Sequence, residues 1–292
     1  MGRLQKHHES IKQDFNKVLA AIASENIPEK TFVAHPFIKW AGGKRSILKE
    51  LLACIPKQYI SYHEPFLGGG ALFFSLKPKK AYLSDINFYL IITYCAIRDD
   101  INSVIKILKI HKQKHGIKYY QKARIQLGKE QNAVKIAALF IYLNKTCYNG
   151  LYRVNKSGFF NVPMGKYKDP AIVDEYNLQA CSKLLQNVNI YQHDFTQISP
   201  KKDQFYYLDP PYHETYSGYD GSGFGNEEHK KLAEFCNIIN KKKGYFMLSN
   251  SNTSLVQKLY KHYNIKIVSA PRFISCKGNG RNKQNELIIT NY

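Results

Sequence analysis

The sequence predicts an α/β protein whose sheet is interrupted by a basic, mostly helical insertion. Three observations predict it. From Phe37 onward, short apolar runs read alternately as helix and strand, the pattern of a parallel sheet covered on both faces. Near residue 93 the alternation gives way to three lysine-rich helical stretches and a hairpin-like run. From about residue 188 the alternation resumes and continues to the last strand.

Taken in order, residues 9–24 place Ile11, Phe15, Val18, Leu19 and Ile22 on one helical face, and Asn26 and Pro28 stop that helix. It reads as the helix of an added N-terminal extension, 1–35, that packs on something else. "ILKELLACI" reads as helix and "YISYHEPF" as strand. "ALFFSL" starts a helix after "LGGG", and "AYLSDI" is again a strand. These belong to a sheet domain over 36–92 that is completed by 188–292. The insertion, 93–187, holds "INSVIKILKIHKQK", "YYQKARIQL" and "NAVKIAALFIYLNK" as helices. "LYRVNKSGFFNV" follows as two β-prone runs around Asn155-Lys156-Ser157-Gly158, a hairpin signal. "NVNIYQHDF", "FYYLDPPY", the helix "EEHKKLAEFCNIIN", "GYFMLSN" and "NELIITNY" restore the α/β pattern. The lysine-rich "SCKGNGRNKQN" before the last strand reads as a mobile loop.

Charge narrows the function. Lys plus Arg number 43 against 22 Asp plus Glu, a net +21, which favours a polyanionic partner. Between Thr93 and Pro170 stand 15 basic and 4 acidic residues, so 15 − 4 = +11, about half of the total. The bland reading of that stretch is a solvated lysine-rich face. No run approaches the ~18 apolar residues of a membrane span. The six cysteines include no C-x-x-C pair, which argues against a zinc site and a disulfide scaffold and suits reducing cytosol.

Three segments carry candidate chemistry. "EPFLGGGALFF" is strand, glycines, then helix. Gly68, Gly69 and Gly70 let backbone approach a ligand at a helix N-terminus, though glycine turns are common there. Asp85 lies 21 residues after Glu64, near the spacing at which an acidic side chain grips ribose hydroxyls. "FIKWAGGKRSIL" holds the only tryptophan, Trp40, before Lys44-Arg45. It reads either as a capped helix start with a core tryptophan, or as an aromatic edge and cation beside a nucleoside. A phosphate-binding P-loop is excluded, because Arg45 stands where Ser or Thr is required. In "YYLDPPYHE" two prolines end a strand and stiffen Asp209 to Tyr212, as a rigid exit or as a fixed pair of acceptors.

The order Phe66-x-Gly68-x-Gly70, basic insertion, Asp209-Pro210-Pro211-Tyr212 resembles the α group of DNA adenine amino-methyltransferases. More closely, it resembles the D12-class Dam and DpnII-type family. The resemblance spans Pro36 to Tyr292 and includes "KWAGGK", "SDIN", "YLNKTCYNGLYRVNKSGFFNVPMGKYK" and "MLSNS". It implies a Rossmann-like S-adenosylmethionine-dependent methyltransferase sheet with an inserted helical and β-hairpin target-recognition domain. It implies methyl transfer to adenine N6 in duplex DNA, within GATC, with S-adenosylhomocysteine as product and no metal. Asp209 Oδ and the Pro210 carbonyl would accept from the adenine amine, whose lone pair is delocalised, and Tyr212 would stack on the flipped base. Cofactor-lining positions are then Trp40, Lys44, Glu64, Phe66, Gly68, Gly70, Asp85, Asp194, Phe195 and Asp209. The DNA-binding positions are Lys39, Tyr148, Asn149, Leu151, Arg153, Pro163 and Tyr167, with Arg153 suited to guanine O6 and N7. For Tyr148 and Leu151 the alternative is hairpin packing. The implied setting is a monomer in bacterial or phage-type cytoplasm, with a cognate restriction endonuclease as a further partner.

One departure stands out: "HETYSGYDGSGFGN", residues 213–226, is shorter than in those relatives, which leaves a longer site beginning GAT as the alternative. A catalytically silent DNA-binding relative is opposed by the intact Asp209–Tyr212 and glycine segments. An RNA adenine methyltransferase is opposed by Asp209 and by "YNGLYR".

Overall fold

Seven strands make one sheet: β1 (Ser61–Glu64), β2 (Ala81–Asp85), β3 (Val188–Gln192), β4 (Gln204–Leu208), β5 (Tyr245–Ser251), β6 (Asn264–Ala270) and β7 (Gln284–Thr290). Their order is β3-β2-β1-β4-β5-β7-β6. The computed structural model describes residues 33–213, 224–270 and 284–292. The helix expected over 9–24, most of 213–226 and the lysine-rich loop lie outside the described residues. Ala34–Tyr292 form one compact unit.

Strands β1 to β5 pair in parallel, as the helix–strand alternation requires. The expectation of a wholly parallel sheet is corrected at one end. β7 runs antiparallel to both β5 and β6. β6 escaped the sequence reading because "NIKIVSA" lies at the sheet edge, where Ile265 and Ile267 stay exposed and the apolar count is diluted by Lys266.

Period-two alternation divides the core. In β4 and β5, Phe205, Tyr207 and Met247 enter one apolar cluster, while Tyr206, Leu208, Phe246 and Leu248 enter another on the opposite face. The helices that matter for the site are α1 (Leu48–Leu52), α2 (Ala71–Leu76), α3 (Phe88–Asp99), α4 (Ile101–Gln113), α5 (Ile117–Leu127), α6 (Ala133–Thr146), α7 (Glu175–Leu185), α8 (Asn226–Lys241) and α9 (Ser254–Tyr260). Asn87, Asp100, Asn132, Asp174 and Thr253 cap α3, α4, α6, α7 and α9 by accepting a backbone N–H three residues on. α6 is buried nearly all round, and its Leu139, Phe140 and Leu143 share a cluster with Leu83 and Phe205 of the sheet. The inserted helices therefore continue the hydrophobic layer on one face of the sheet.

The expected hairpin forms in minimal length. Val154 and Phe160 make an isolated bridge, Asn155 N donates to the Phe159 carbonyl at 2.8 Å, and Asn161 N donates to the Arg153 carbonyl at 3.0 Å. Asn155 Oδ1 closes the turn by accepting from Ser157 N and Phe159 N.

Candidate active site

β1 pairs with β2 on one side and β4 on the other, so the strand order reverses between them. In open α/β sheets that reversal leaves a crevice outside the carboxyl ends of the strands. Four of the singled-out segments end there: Glu64 closes β1, Asp85 closes β2, Asp194 follows β3, and Asp209 follows β4.

The glycine segment forms a tight cradle. Gly68 has φ +47° and Gly70 φ +66°, and Gly70 is the left-handed residue before α2. Gly70 N donates to the Leu67 carbonyl, and Leu67 N to the Ser84 carbonyl, which ties the loop to β2. A Cβ on Gly68 would stand 2.6 Å from Trp40 Cδ1, and one on Gly70 would stand 2.8 Å from the Tyr94 hydroxyl. Trp40 is half-buried. It lies over the Gly68–Gly69 backbone and stacks on Tyr152, ring centroids 6.0 Å apart. Gly68→Ala is therefore expected to cost about 1–3 kcal/mol, the range for a strained backbone position. Gly116→Ala, where an added methyl meets nothing within 4 Å, is the control. Chemical unfolding of both variants checks this.

Asp85 has a structural task in the loop. Its Oδ2 accepts from Gly68 N and its Oδ1 from Asn87 N, each at 3.0 Å. Glu64 is 2% exposed, and Tyr62 donates its hydroxyl proton to Glu64 Oε2 at 2.7 Å. Burial pushes the Glu64 carboxyl up to about 8, with the nearby Asp209 and Asp85 charges adding and the Tyr62 bond opposing. Phe66 packs on Phe195, and both rings meet Phe224. Asp194 caps the short helical turn after β3 by accepting from Thr196 N, while Phe195 is buried.

The Asp209–Tyr212 segment is held from three sides. Lys44, only 5% exposed, places its ammonium 2.8 Å from Asp209 Oδ1 and 4.6 Å from the centroid of the Tyr212 ring, and it also donates to the Gly42 carbonyl. Lys44, one of the expected cofactor-lining positions, is thus the counter-ion of Asp209. Burial raises the Asp209 carboxyl to about 6, with Lys44 holding it down and Glu286 adding a smaller rise. From β7, Glu286 Oε2 accepts the Tyr212 hydroxyl proton at 2.8 Å. The chain leaving the segment is fixed by Asn250 Oδ1, which accepts from His213 N, and by Ser251 Oγ, which donates to the His213 carbonyl. Glu286, Asn250 and Ser251 are absent from the sequence-derived roles. The segments "MLSNS" and "NELIITNY" are visible as strands, but nothing in their spacing ties them to Tyr212.

The second group of residues gathers where α6 meets the hairpin. Asn144 Oδ1 accepts from Lys39 N, and its Nδ2 donates to the carbonyls of Lys39 and Gly150. That side chain welds the "KWAGGK" segment to the "YNGLYR" turn. Lys39 Nζ lies 4.2 Å from the Tyr167 ring centroid. Tyr148 (54% exposed), Asn149, Arg153 and Pro163 point outward, while Leu151 packs against the core. Asn149 adopts the left-handed region, φ +53°, which turns the chain so that Tyr148 stands proud. Arg153 donates from Nε to Asn161 Oδ1 at 2.7 Å, so Asn161 braces the guanidinium. Lys156 and Lys168 are exposed.

Residues 40–274 match the model of the D12 class N6 adenine-specific DNA methyltransferase family. The chain is 42% identical over 286 residues to the type II methyltransferase M.MjaIII of Methanocaldococcus jannaschii, covering 88% of this chain and 99% of that protein. It is 38% identical over 270 residues to the type II methyltransferase M1.LlaDCHI of Lactococcus lactis subsp. cremoris, covering 88% and 95%. It is 31% identical over 262 residues to the DNA adenine methylase of Vibrio cholerae, covering 86% and 94%.

Proposed function

The chain belongs to the D12 class of N6 adenine-specific DNA methyltransferases, and on that premise we propose that it methylates adenine within GATC, using the crevice over β1 and β4. It is an adenine-specific DNA methyltransferase, and its family implies S-adenosylmethionine as donor. The observation that carries the assignment of the site is the position of Asp209, half-buried at the mouth of the strand reversal and held by Lys44.

The glycine turn at the carboxyl end of β1 is the segment offered to a nucleoside-bearing ligand: positive φ at Gly68 and Gly70 shapes it, and Asp85 braces it through Gly68 N. Trp40, Glu64, Phe66, Asp194 and Phe195 complete the proposed lining. S-adenosylmethionine bound there supplies an electrophilic methyl group. The chain's own residues prepare the acceptor. Lys44 occupies Asp209 Oδ1, which leaves Oδ2 and the Pro210 carbonyl to accept hydrogen bonds from the two N6–H groups of the target adenine, and the one N6 proton in excess once the nitrogen carries a methyl group leaves through Oδ2 to solvent. Those bonds draw the nitrogen lone pair out of the ring and orient it, so positioning and electrostatics carry the rate. Tyr212 supplies the stacking face for a base taken out of the duplex.

On the DNA side, Arg153 reads a guanine, Tyr148 enters the space left by the flipped adenine, and Lys39, Asn149, Leu151, Pro163 and Tyr167 shape the contact. Residues 93–187 are the target-recognition domain in this reading. The likeness to two type II methyltransferases, of Methanocaldococcus jannaschii and Lactococcus lactis, favours a restriction–modification role beside a cognate endonuclease. The short 213–226 segment keeps a longer site beginning GAT as the second reading.

Methylation-sensitive sequencing of DNA from cells expressing the chain tests this. Every GATC should carry N6-methyladenine; methylation confined to a longer fixed sequence beginning GAT selects the second reading, and a chain that methylates no adenine in any GAT-containing sequence overturns both. Arg153→Ala should relax the choice at one base pair by about five- to hundredfold, the worth of a bidentate arginine–guanine contact. Lys156→Ala and Lys168→Ala should slow all single-base variants of the site about equally. Uniform slowing by Arg153→Ala would remove that residue from base readout.

A further inference from the structure

β7 is the strand that breaks the parallel pattern, and its direction has a mechanical result. Because it runs antiparallel to β5, its first residues lie at the edge where β4 and β5 end. Glu286 there pairs in register with Ser251 of β5. The two side chains take hold of consecutive residues: Ser251 Oγ donates to the His213 carbonyl at 2.7 Å, and Glu286 Oε2 accepts the Tyr212 hydroxyl proton at 2.8 Å.

From this arrangement we infer that Glu286 is a positioning residue for the methyl-transfer reaction, acting through the Tyr212 hydroxyl to fix the plane on which the flipped adenine stacks. The inference rests on the reading of Tyr212 as the stacking platform. A tyrosine ring turns about two torsions, and backbone rigidity at Pro210-Pro211 does not restrain the second. A bond from the phenol to a carboxylate fixes where the far end of the ring lies and, because a phenol O–H prefers the plane of its ring, resists turning of that plane; it is of the stronger, charge-assisted kind. Lys44 restrains the ring from its face at 4.6 Å, so the hydroxyl and the ring face are held by separate elements. Burial and the neighbouring Asp209 and Glu286 charges keep the Tyr212 phenol well above its ordinary titration range, so it remains a donor. Glu286 bonds the Tyr212 hydroxyl and its charge adds only a smaller rise to Asp209, so its loss should act on turnover and leave cofactor affinity alone.

A double-mutant cycle tests this on the full-length chain, with methylation of a GATC duplex, the KM for DNA and the calorimetric affinity for S-adenosylmethionine as readouts. Glu286→Ala should lower kcat about tenfold, the weight of one hydrogen bond to a charged group, with cofactor affinity unchanged. Tyr212→Phe should lower kcat by a similar factor, and Glu286→Ala in the Tyr212→Phe background should add little. Glu286→Gln keeps an acceptor oxygen and should retain most of the rate. Effects that multiply in the double variant overturn the inference, as does an unchanged kcat in Tyr212→Phe, which carries the test by itself if the alanine variant does not fold. A wild-type chain that methylates no adenine in any GAT-containing duplex removes the underlying reading instead.

Discussion

Asp209→Ala is expected to reduce methyl transfer by about two to three orders of magnitude, the range seen when one preorganised electrostatic contact is removed from a reacting centre. Affinity for duplex DNA should change little, because the substitution leaves the exposed cations of the hairpin, Arg153 and Lys156, untouched. The asparagine variant sharpens the argument. Lys44 is a donor seated 2.8 Å from Oδ1, so an amide at this position would turn its oxygen toward Lys44. Its NH2 group would then face the adenine amine, donor against donor. Asp209→Asn should accordingly be nearly as inactive as Asp209→Ala despite its almost identical volume. Single-turnover methylation with both variants, alongside duplex binding, provides the measurement. Turnover near the wild-type rate in either one would dispose of the acceptor mechanism.

The second large effect concerns pH. Asp209 accepts from the amine only when ionised, and burial sets its carboxyl at about 6 even with Lys44 beside it. The sign follows directly: lowering pH through about 6 protonates Asp209, so the wild-type rate should fall on the acid side and level off above neutrality. Lys44 is the main influence holding that value down. Lys44→Met removes the cation while keeping an unbranched apolar stem, so the carboxyl should titrate at higher pH. The acid limb should move toward the alkaline side, with the rate at pH 6 lowered about tenfold or more, because an opposite charge at this distance favours the charged form strongly. Much of that loss should be recovered at pH 8 to 9. Lys44→Arg should shift the limb far less, since it retains the charge. A Lys44→Met profile that is lower at every pH by one factor would mean that Lys44 serves the fold or the cofactor and not the ionisation of Asp209.

The segments legible in the sequence are those whose chemistry is local. Two prolines stop β4 at Leu208 wherever the strand sits, because proline cannot donate to the ladder. Gly68 and Gly70 are needed where φ is positive, and the run from strand to glycine to helix shows as such in one dimension. The parallel strands β1 to β5 and helices α4 to α6 follow from apolar periodicity, which burial on one or both faces imposes. α7 is harder to see, since Asn177 and Ser182 share its buried face with Leu178, Cys181 and Leu185.

What the sequence by itself determined was the α/β class, the basic insertion, the glycine cradle and the rigid Asp209–Tyr212 exit. Only the tertiary structure decided which groups face them. Lys44 reaches Asp209 from 165 positions earlier in the chain, and Glu286 reaches Tyr212 from 74 positions later. Asn144 holds Lys39 across 105 positions. Such pairings leave no periodic trace, because they depend on strand order and on the reversed direction of β7 rather than on neighbours along the chain. An edge strand with exposed isoleucines carries a weak pattern, yet it is the β6–β7 pair that completes the sheet and brings a carboxylate to Tyr212. Local propensity sets where each element starts and stops; the sheet topology sets which side chains share the crevice, and hence their ionisation.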